Sequence, residues 1–433
     1  MNTPKSAAWG RLVALALLAP VPAICTSHSA VAQDEPAIET NGGHDWPAWR
    51  GPRGNGFSPD VPKRLPPKKL LWSRPMAGEC HAPVSVGGGY VVVADHGGGR
   101  GYWRCFNAAD GTPVWTRQYP NNEKMEFGAA PRAAPLIHRG RVYCLSAWGE
   151  LFCIELSTGN VVWQKHLARH FQAKTPTWGY CCSPLVAGGK LIVNPGGTGG
   201  PVAALNPDTG KVLWTGEGEG LNYAGFIVGT FGGVEQVVGY DQKTAGGWEL
   251  KTGRRLWTFE VDNSYGYIVP SPVAVGGKLL LTSDQENARL VAFDDGDKIW
   301  DEPPAENEDL APEIATPTVW GGLILGASYG LVLLDPSPAD GPRTLETLWI
   351  YDDEKCVEGV CHVIASEDRA LVMCEDGQLL LLAADRESCR ILDRVKLCEK
   401  TWVHPALAGA RLYVRDKSRL YCYAMRAEDR GGR

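Results

Sequence analysis

Ser183-Pro184-Leu185-Val186-Ala187-Gly188-Gly189-Lys190-Leu191-Ile192-Val193 opens a stretch that closes at Asp208-Thr209-Gly210-Lys211-Val212-Leu213-Trp214. A small residue and proline lead into an apolar β-branched run. A glycine turn reverses it, a second run follows, and a last turn with glycine ends on tryptophan. The same order recurs from Ala134-Pro135 through Ser157-Thr158-Gly159 to Trp163, and more loosely elsewhere, with terminal tryptophans at 72, 115, 163, 214, 257, 300 and 349 and Val395 in the next place. Each unit of about 45 residues has room for four strands of about five residues plus turns, the content of one propeller blade. Eight units fit, so the sequence predicts an all-β, eight-bladed propeller of four-stranded antiparallel blades over 70–425, with 33–69 as a lead-in and 426–433 as a tail. Gly159, Gly210 and Gly253 supply positive φ in the last hairpin, and the tryptophan after each is expected to pack between blades. The last unit runs from His404-Pro405 to about Met425, one strand short, while Leu70-Leu71-Trp72 has no blade of its own. The N-terminal strand is therefore expected to complete the last blade and close the ring.

Composition fits this reading and narrows the function. The 433 residues include 43 Lys or Arg against 49 Asp or Glu, a formal charge of −6, which argues against general nucleic-acid binding. At 44% hydrophobic and 21% charged the chain has the balance of a globular protein. Residues 1–32 place Lys5 and Arg11 ahead of an apolar run from Leu12 to Ile24 and end on Ala30-Val31-Ala32. This is the order of a signal peptide, with cleavage expected after Ala32, and it implies a periplasmic or secreted protein. Ile24 before Cys25 departs from a lipobox, and no later apolar run is long enough for a transmembrane segment. Export permits disulfides among the remaining cysteines; Cys144 and Cys153 flank the turn 147–150 and either face each other across a hairpin or sit as small hydrophobes in the core.

The repeat resembles the tryptophan-docking propeller of the pyrroloquinoline-quinone-like repeat family, which includes quinoprotein dehydrogenases and the propeller subunit of the outer-membrane barrel assembly machine. Asp45-Trp46-Pro47-Ala48-Trp49-Arg50-Gly51-Pro52 and Asn55-Gly56-Phe57-Ser58 resemble the lead-in of bacterial proteins that carry this propeller. The resemblance implies the fold and leaves the activity open between binding and catalysis.

In a propeller the segments leading into the innermost strands converge on one mouth. Before the proline-type anchor of each unit stand Ala82, Ala134, Ser183, Gly225, Ser271, Thr316, His362 and His404, mostly small as a crowded axis requires. Three groups depart from that pattern. Cys181-Cys182, preceded by Trp178-Gly179-Tyr180, resembles the vicinal disulfide that packs on the quinone of quinoprotein alcohol dehydrogenases; two buried or separately paired cysteines are the alternative. Cys80-His81, Cys361-His362 and His404 are soft ligands on contiguous units, a donor set suited to zinc or copper. No short CxxC or HxxxH spacing supports a metal there. Loop residues Trp178, Tyr180, Asn222, Tyr223, Tyr265, Tyr267, Glu313 and Trp402 combine flat rings with hydrogen-bonding groups, suited to a sugar, a flat cofactor or a peptide, or simply to plugging the mouth. The acidic run from Asp301 to Glu313 reads as a solvated insertion, with calcium as a remote alternative.

No P-loop, HExxH or CxxCH is present. The sequence is therefore read as an exported, non-enzymatic binding propeller with no cofactor, whose mouth residues Trp178, Tyr180, Cys181, Cys182, Asn222, Tyr223, Glu313, His362, Trp402 and His404 meet another envelope protein or envelope component. The competing reading is a dehydrogenase of alcohols or sugars that uses pyrroloquinoline quinone (PQQ) and calcium.

Overall fold

The computed structural model describes residues 44–121, 124–293, 304–336, 345–352 and 355–426. The expected signal peptide (1–32) with its cleavage after Ala32, the start of the lead-in, Trp300, Asp301 and the tail beyond 426 lie outside the described residues. Eight four-stranded antiparallel sheets follow one another as blades. Their innermost strands are Ser85–Gly87, Leu136–His138, Leu185–Ala187, Ile227–Phe231, Val273–Val275, Thr318–Trp320, Cys361–Ala365 and Ala406–Ala408, numbered here as blades 1 to 8. The one described α-helix is the four-residue Leu167–His170.

Blade 8 is closed by the N-terminal strand Leu70–Pro75, which pairs antiparallel with Arg419–Ala424 so that Trp72 faces Cys422. The ring is thus sealed by its two ends, and no sheet edge is left open at the junction. Hydrophobic burial lies in the seams. Between blades 6 and 7, for example, Trp320, Leu325 and Leu333 pack with Val363, Val372 and Leu380.

The terminal tryptophans fasten these seams. Nε1–H of Trp72, Trp115, Trp163, Trp214 and Trp349 donates to a backbone carbonyl of the following blade, at Ala108, Leu156, Pro207, Leu250 and Asp385. Gly111, Gly159, Gly210 and Gly253 lie against the first four of these rings, where a Cβ would come within 2.6, 2.6, 2.8 and 2.5 Å. Glycine is needed there twice, for its positive φ and for the close approach of the indole. Trp257 differs: its Nε1–H donates at 2.6 Å to Gln236 of its own blade.

Of the two readings of Cys144 and Cys153, the structure bears out the small buried hydrophobes and not the facing pair: the register sets Tyr143 opposite Cys153 and Cys144 opposite Phe152. That offset of one residue sends the thiols to opposite faces. Cys144 enters the seam with blade 1 and Cys153 the seam with blade 3, and the described cysteines are unbridged. The acidic run is also more than a solvated insertion. Ala305–Asn307 is the outermost strand of blade 5 and Leu310 is fully buried, because the apolar residues between the acids fill the seam to blade 6.

Candidate functional site

The lead-in segment builds the floor of the mouth. Its backbone joins the innermost strands of three blades: Trp46 pairs with Val86, Pro47 O accepts from Ile137 N at 2.8 Å, and Gly56 and Ser58 bracket Ala365. Arg50 is buried, with Nη2 donating to the Pro317 carbonyl at 2.6 Å and the Thr318 hydroxyl at 2.7 Å. Burial lowers its pKa to about 9. Trp49 follows these anchors into the channel, where its ring meets His404 edge-on at 5.4 Å and His362 at 6.5 Å.

Beneath Trp49 the two histidines form a buried neutral pair, ring centroids 5.0 Å apart. Nδ1 of His404 lies 2.7 Å from the Pro405 carbonyl, and Nε2 of His362 lies 2.9 Å from the Trp402 carbonyl, so the protonated nitrogen of each is the one facing the oxygen. Desolvation lowers the pKa of His362 to about 4 and pushes that of His404 well down.

Hydroxyls before the proline anchors tie blades around the axis: Ser183 accepts from Ala134 N, Ser271 from Gly225 N, and Thr316 from Ser271 N. These hydroxyls therefore hold the blades together, while Ser183, Gly225 and Ser271 also line the cavity of the mouth.

Above the floor lies a cavity of about 320 Å³ lined by aromatic side chains and a few charges. One wall is Trp178 with Tyr223 at 5.2 Å and Tyr267 at 5.1 Å. A second is Trp402 with His81 at 5.3 Å and Phe127 at 6.3 Å. The two tryptophans are held by carboxylates, Trp178 Nε1–H donating to Glu126 at 3.0 Å and Trp402 Nε1–H to Glu375 at 2.7 Å. Glu126, Glu313 and Arg132 are the charged lining. Arg132 spends its donors on its own loop, at Ala130 O, Glu126 O, Gly128 O and the Met125 sulfur.

The ten residues expected at the mouth divide by depth. Trp178, Cys181, Tyr223, Glu313, His362 and Trp402 line the cavity. Tyr180 and Asn222 stand behind its wall as staples: the Tyr180 hydroxyl donates to Pro195 O at 3.0 Å, and Asn222 Oδ1 accepts from Ile268 N at 2.7 Å. Cys182 is packed into the seam toward blade 4, and His404 lies beneath Trp49. Cys181 and Cys182 are unbridged, and burial pushes both pKa values up to about 12, so neither thiol ionises at neutral pH.

The expected metal donors do not converge. His362 and His404 meet, but strand alternation turns Cys361 into the blade 7 core beside Cys356 and Cys374, and Cys80 donates to Pro131 O inside the wall. Among the described residues no group of three or more His, Cys, Asp or Glu is arranged to hold a metal ion.

Trp49, Phe127 and Arg132 were not singled out from sequence. Trp49 had a signal, the second tryptophan of the lead-in motif; Phe127 and Arg132 sit in a loop with no repeat phase.

Comparison with known proteins agrees with this architecture. The family model described as "Outer membrane protein assembly factor BamB" matches residues 66–176, 104–232 and 235–386. A tetrathionate hydrolase of Acidithiobacillus ferrooxidans is 27% identical over 238 residues, 50% of this chain and 44% of that protein. The quinoprotein alcohol dehydrogenase PedH of Pseudomonas putida is 28% identical over 186 residues, 39% of this chain and 29% of that protein. The chain thus spans less than half the length of either relative. BamB from Moraxella catarrhalis superposes with a TM-score of 0.57 at 16% identity, covering 84% of this chain and 99% of that one. A europium-containing methanol dehydrogenase gives 0.65 at 10% identity, covering 89% and 99%. At such identities the superpositions establish the fold alone. No helix among the described residues is long and apolar enough to cross a membrane.

Proposed function

Because the chain belongs to the family of the outer membrane protein assembly factor BamB, we propose that it is an exported binding propeller whose mouth docks another component of the cell envelope. The observation that carries this is the aromatic cavity together with exposed rings: Phe127 in its lining, Tyr265 at 6.3 Å from the lining ring of Tyr267, and Tyr329 in the turn between the second and third strands of blade 6. Phe127, Tyr265 and Tyr329 are 58, 67 and 87% exposed, and Phe127 and Tyr329 hold positive φ of 55° and 51°. Bulky residues in that region of backbone space are uncommon and strained, which suits side chains presented outward for contact. Exposed aromatics bordering a pocket are the usual anchors of a recognition surface.

The dehydrogenase reading draws on the likeness to quinoproteins and on Cys181 lining the cavity beside Trp178. The donor set fits it poorly. PQQ is a tricarboxylate, whereas the cavity offers two carboxylates and one guanidinium already bonded to its own loop. A calcium ion would ask for clustered oxygen ligands, and among the described residues none are gathered.

The test is photo-crosslinking in an exporting bacterial host, with the reactive residue placed at Tyr265 or Tyr329 and, as control, at Glu235 in the turn region of blade 4. Discrete adducts from 265 and 329 but not from 235 are expected. Adducts from 235 alone would move the interface away from the mouth.

A further inference from the structure

The chemistry of the cavity narrows what it takes, granted the reading of the mouth as the binding face. Its rings come in two groups: Trp178 with Tyr223 and Tyr267, and Trp402 with Phe127. In the first, Trp178 and Tyr267 meet at an interplanar angle of 80°, so π-faces point in different directions around the same space. Two carboxylates share the lining, at Glu126 and Glu313. Glu313 is exposed and makes no hydrogen bond or ion pair among the described residues.

The single cation, Arg132, offsets one of the two carboxylates, so the charged lining stays net negative. Its donors run to four acceptors on its own loop, so it braces the loop that carries Phe127 and Glu126. Trp178 Nε1–H and Trp402 Nε1–H are likewise satisfied by Glu126 and Glu375. What remains available to a ligand is therefore mostly π-face, carboxylate and apolar surface, with the hydroxyls of Ser183 and Ser271 and the His81 ring as uncharged donors. An anion meets a net negative lining. A soft organic cation is matched on every count: the faces attract it through their quadrupoles, Glu313 supplies opposite charge at the rim, and the apolar lining accepts its alkyl groups.

We propose that the mouth cavity is a binding site for an alkylammonium cation, quaternary or primary, bounded by Trp178, Tyr223, Tyr267, Trp402 and Glu313. The same group is carried by free small molecules and by lysine side chains of a partner segment, and the two sources are separable by experiment.

Purified protein is titrated with choline, with its uncharged isostere 3,3-dimethylbutan-1-ol and with pivalate, by calorimetry and by tryptophan emission. Choline is expected to bind about tenfold or more tighter than the isostere, with pivalate weakest. Glu313→Gln should weaken choline and leave the isostere unchanged, and Trp178→Leu should weaken choline with the unfolding midpoint retained. A second arm compares a lysine peptide with its Nε-acetyl form. Preference for the charged peptide assigns the cation to a protein segment, and choline binding without that preference assigns it to a free molecule. Equal binding of choline and isostere, preference for pivalate, or no saturable binding of any cation overturns the proposal. If crosslinks from 265 and 329 persist in that case, the binding face stands and only its cation chemistry falls.

Discussion

The indole of Trp163 lies so close to Gly210 of the next blade that a Cβ there would come within 2.8 Å of ring atom Cε3, while Nε1–H donates to Pro207 O at 2.8 Å. The same contact joins Trp72 to Gly111, Trp115 to Gly159 and Trp214 to Gly253, and makes the last turn of these blades part of their neighbours' packing.

Gly210→Ala is therefore expected to destabilise the protein by about 3 kcal/mol, combining left-handed backbone strain with overpacking against the indole. Gly189 has a similar φ of +68°, and a methyl group there would meet nothing within 4 Å. Gly189→Ala should lose only about 1 kcal/mol. Urea unfolding of the two variants checks the difference, and equal losses would show that the indole contact contributes nothing.

Ring closure rests on Trp72, which bridges the first and last blades by packing on Gly111 and Tyr413. Trp72→Ala should cost about 3–5 kcal/mol and make the chain a much better protease substrate near residues 70–75. Limited proteolysis followed by mass analysis reads out the site.

The same junction holds a buried ion pair, Arg415 Nη2 to Asp95 at 3.1 Å, both side chains fully enclosed. Asp95 also accepts from Arg104 Nε at 2.8 Å and from Ala77 N at 2.8 Å. Asp95→Asn leaves the buried Arg415 guanidinium its bonds to the Ala94 and Gly78 carbonyls but no counter-charge from Asp95, and should cost about 3–5 kcal/mol. Arg415→Met leaves Asp95 its other donors and should cost less. A chemical denaturation series on both variants tests the order.

Stability should fall in mild acid. His362 titrates near 4 in the folded protein against about 6.5 unfolded, so the unfolded chain binds the extra proton first. Stability is therefore full above pH 6.5 and is lost as pH falls toward 4, by about 3 kcal/mol from this group, with His404 acting in the same direction. His362→Asn should flatten the slope between pH 6.5 and 4. An unchanged slope would mean that His362 is not the buried neutral group described.

The fold was legible because its information is local and repeated. Proline anchor, glycine turn and terminal tryptophan each fix a position in a blade, and the missing fourth strand of the last unit points to Leu70-Leu71-Trp72. The mouth was legible in part. Tyr223 and Trp402 each sit two residues before their anchor positions, Gly225 and His404, and Trp178 lies five before Ser183, so the period places all three in segments that lead into the mouth. Phe127 and Arg132 lie in a connection of irregular length, where the period gives no position. The path of the lead-in was hidden for another reason: Gly56 meets Ala365 through backbone hydrogen bonds, which leave no side-chain signature. Cys361 was misplaced with His362 because neighbouring strand residues point to opposite faces, a parity that depends on a register the repeat alone does not set.

The most direct test of the mouth as the binding face is the affinity of the crosslinked partner, once isolated, for the wild type and for the double variant Trp178→Leu, Trp402→Leu, each at an unfolding midpoint within a few degrees of the other. We expect the variant to bind at least about tenfold more weakly. Equal affinity would contradict the assignment and place the docking surface elsewhere on the propeller.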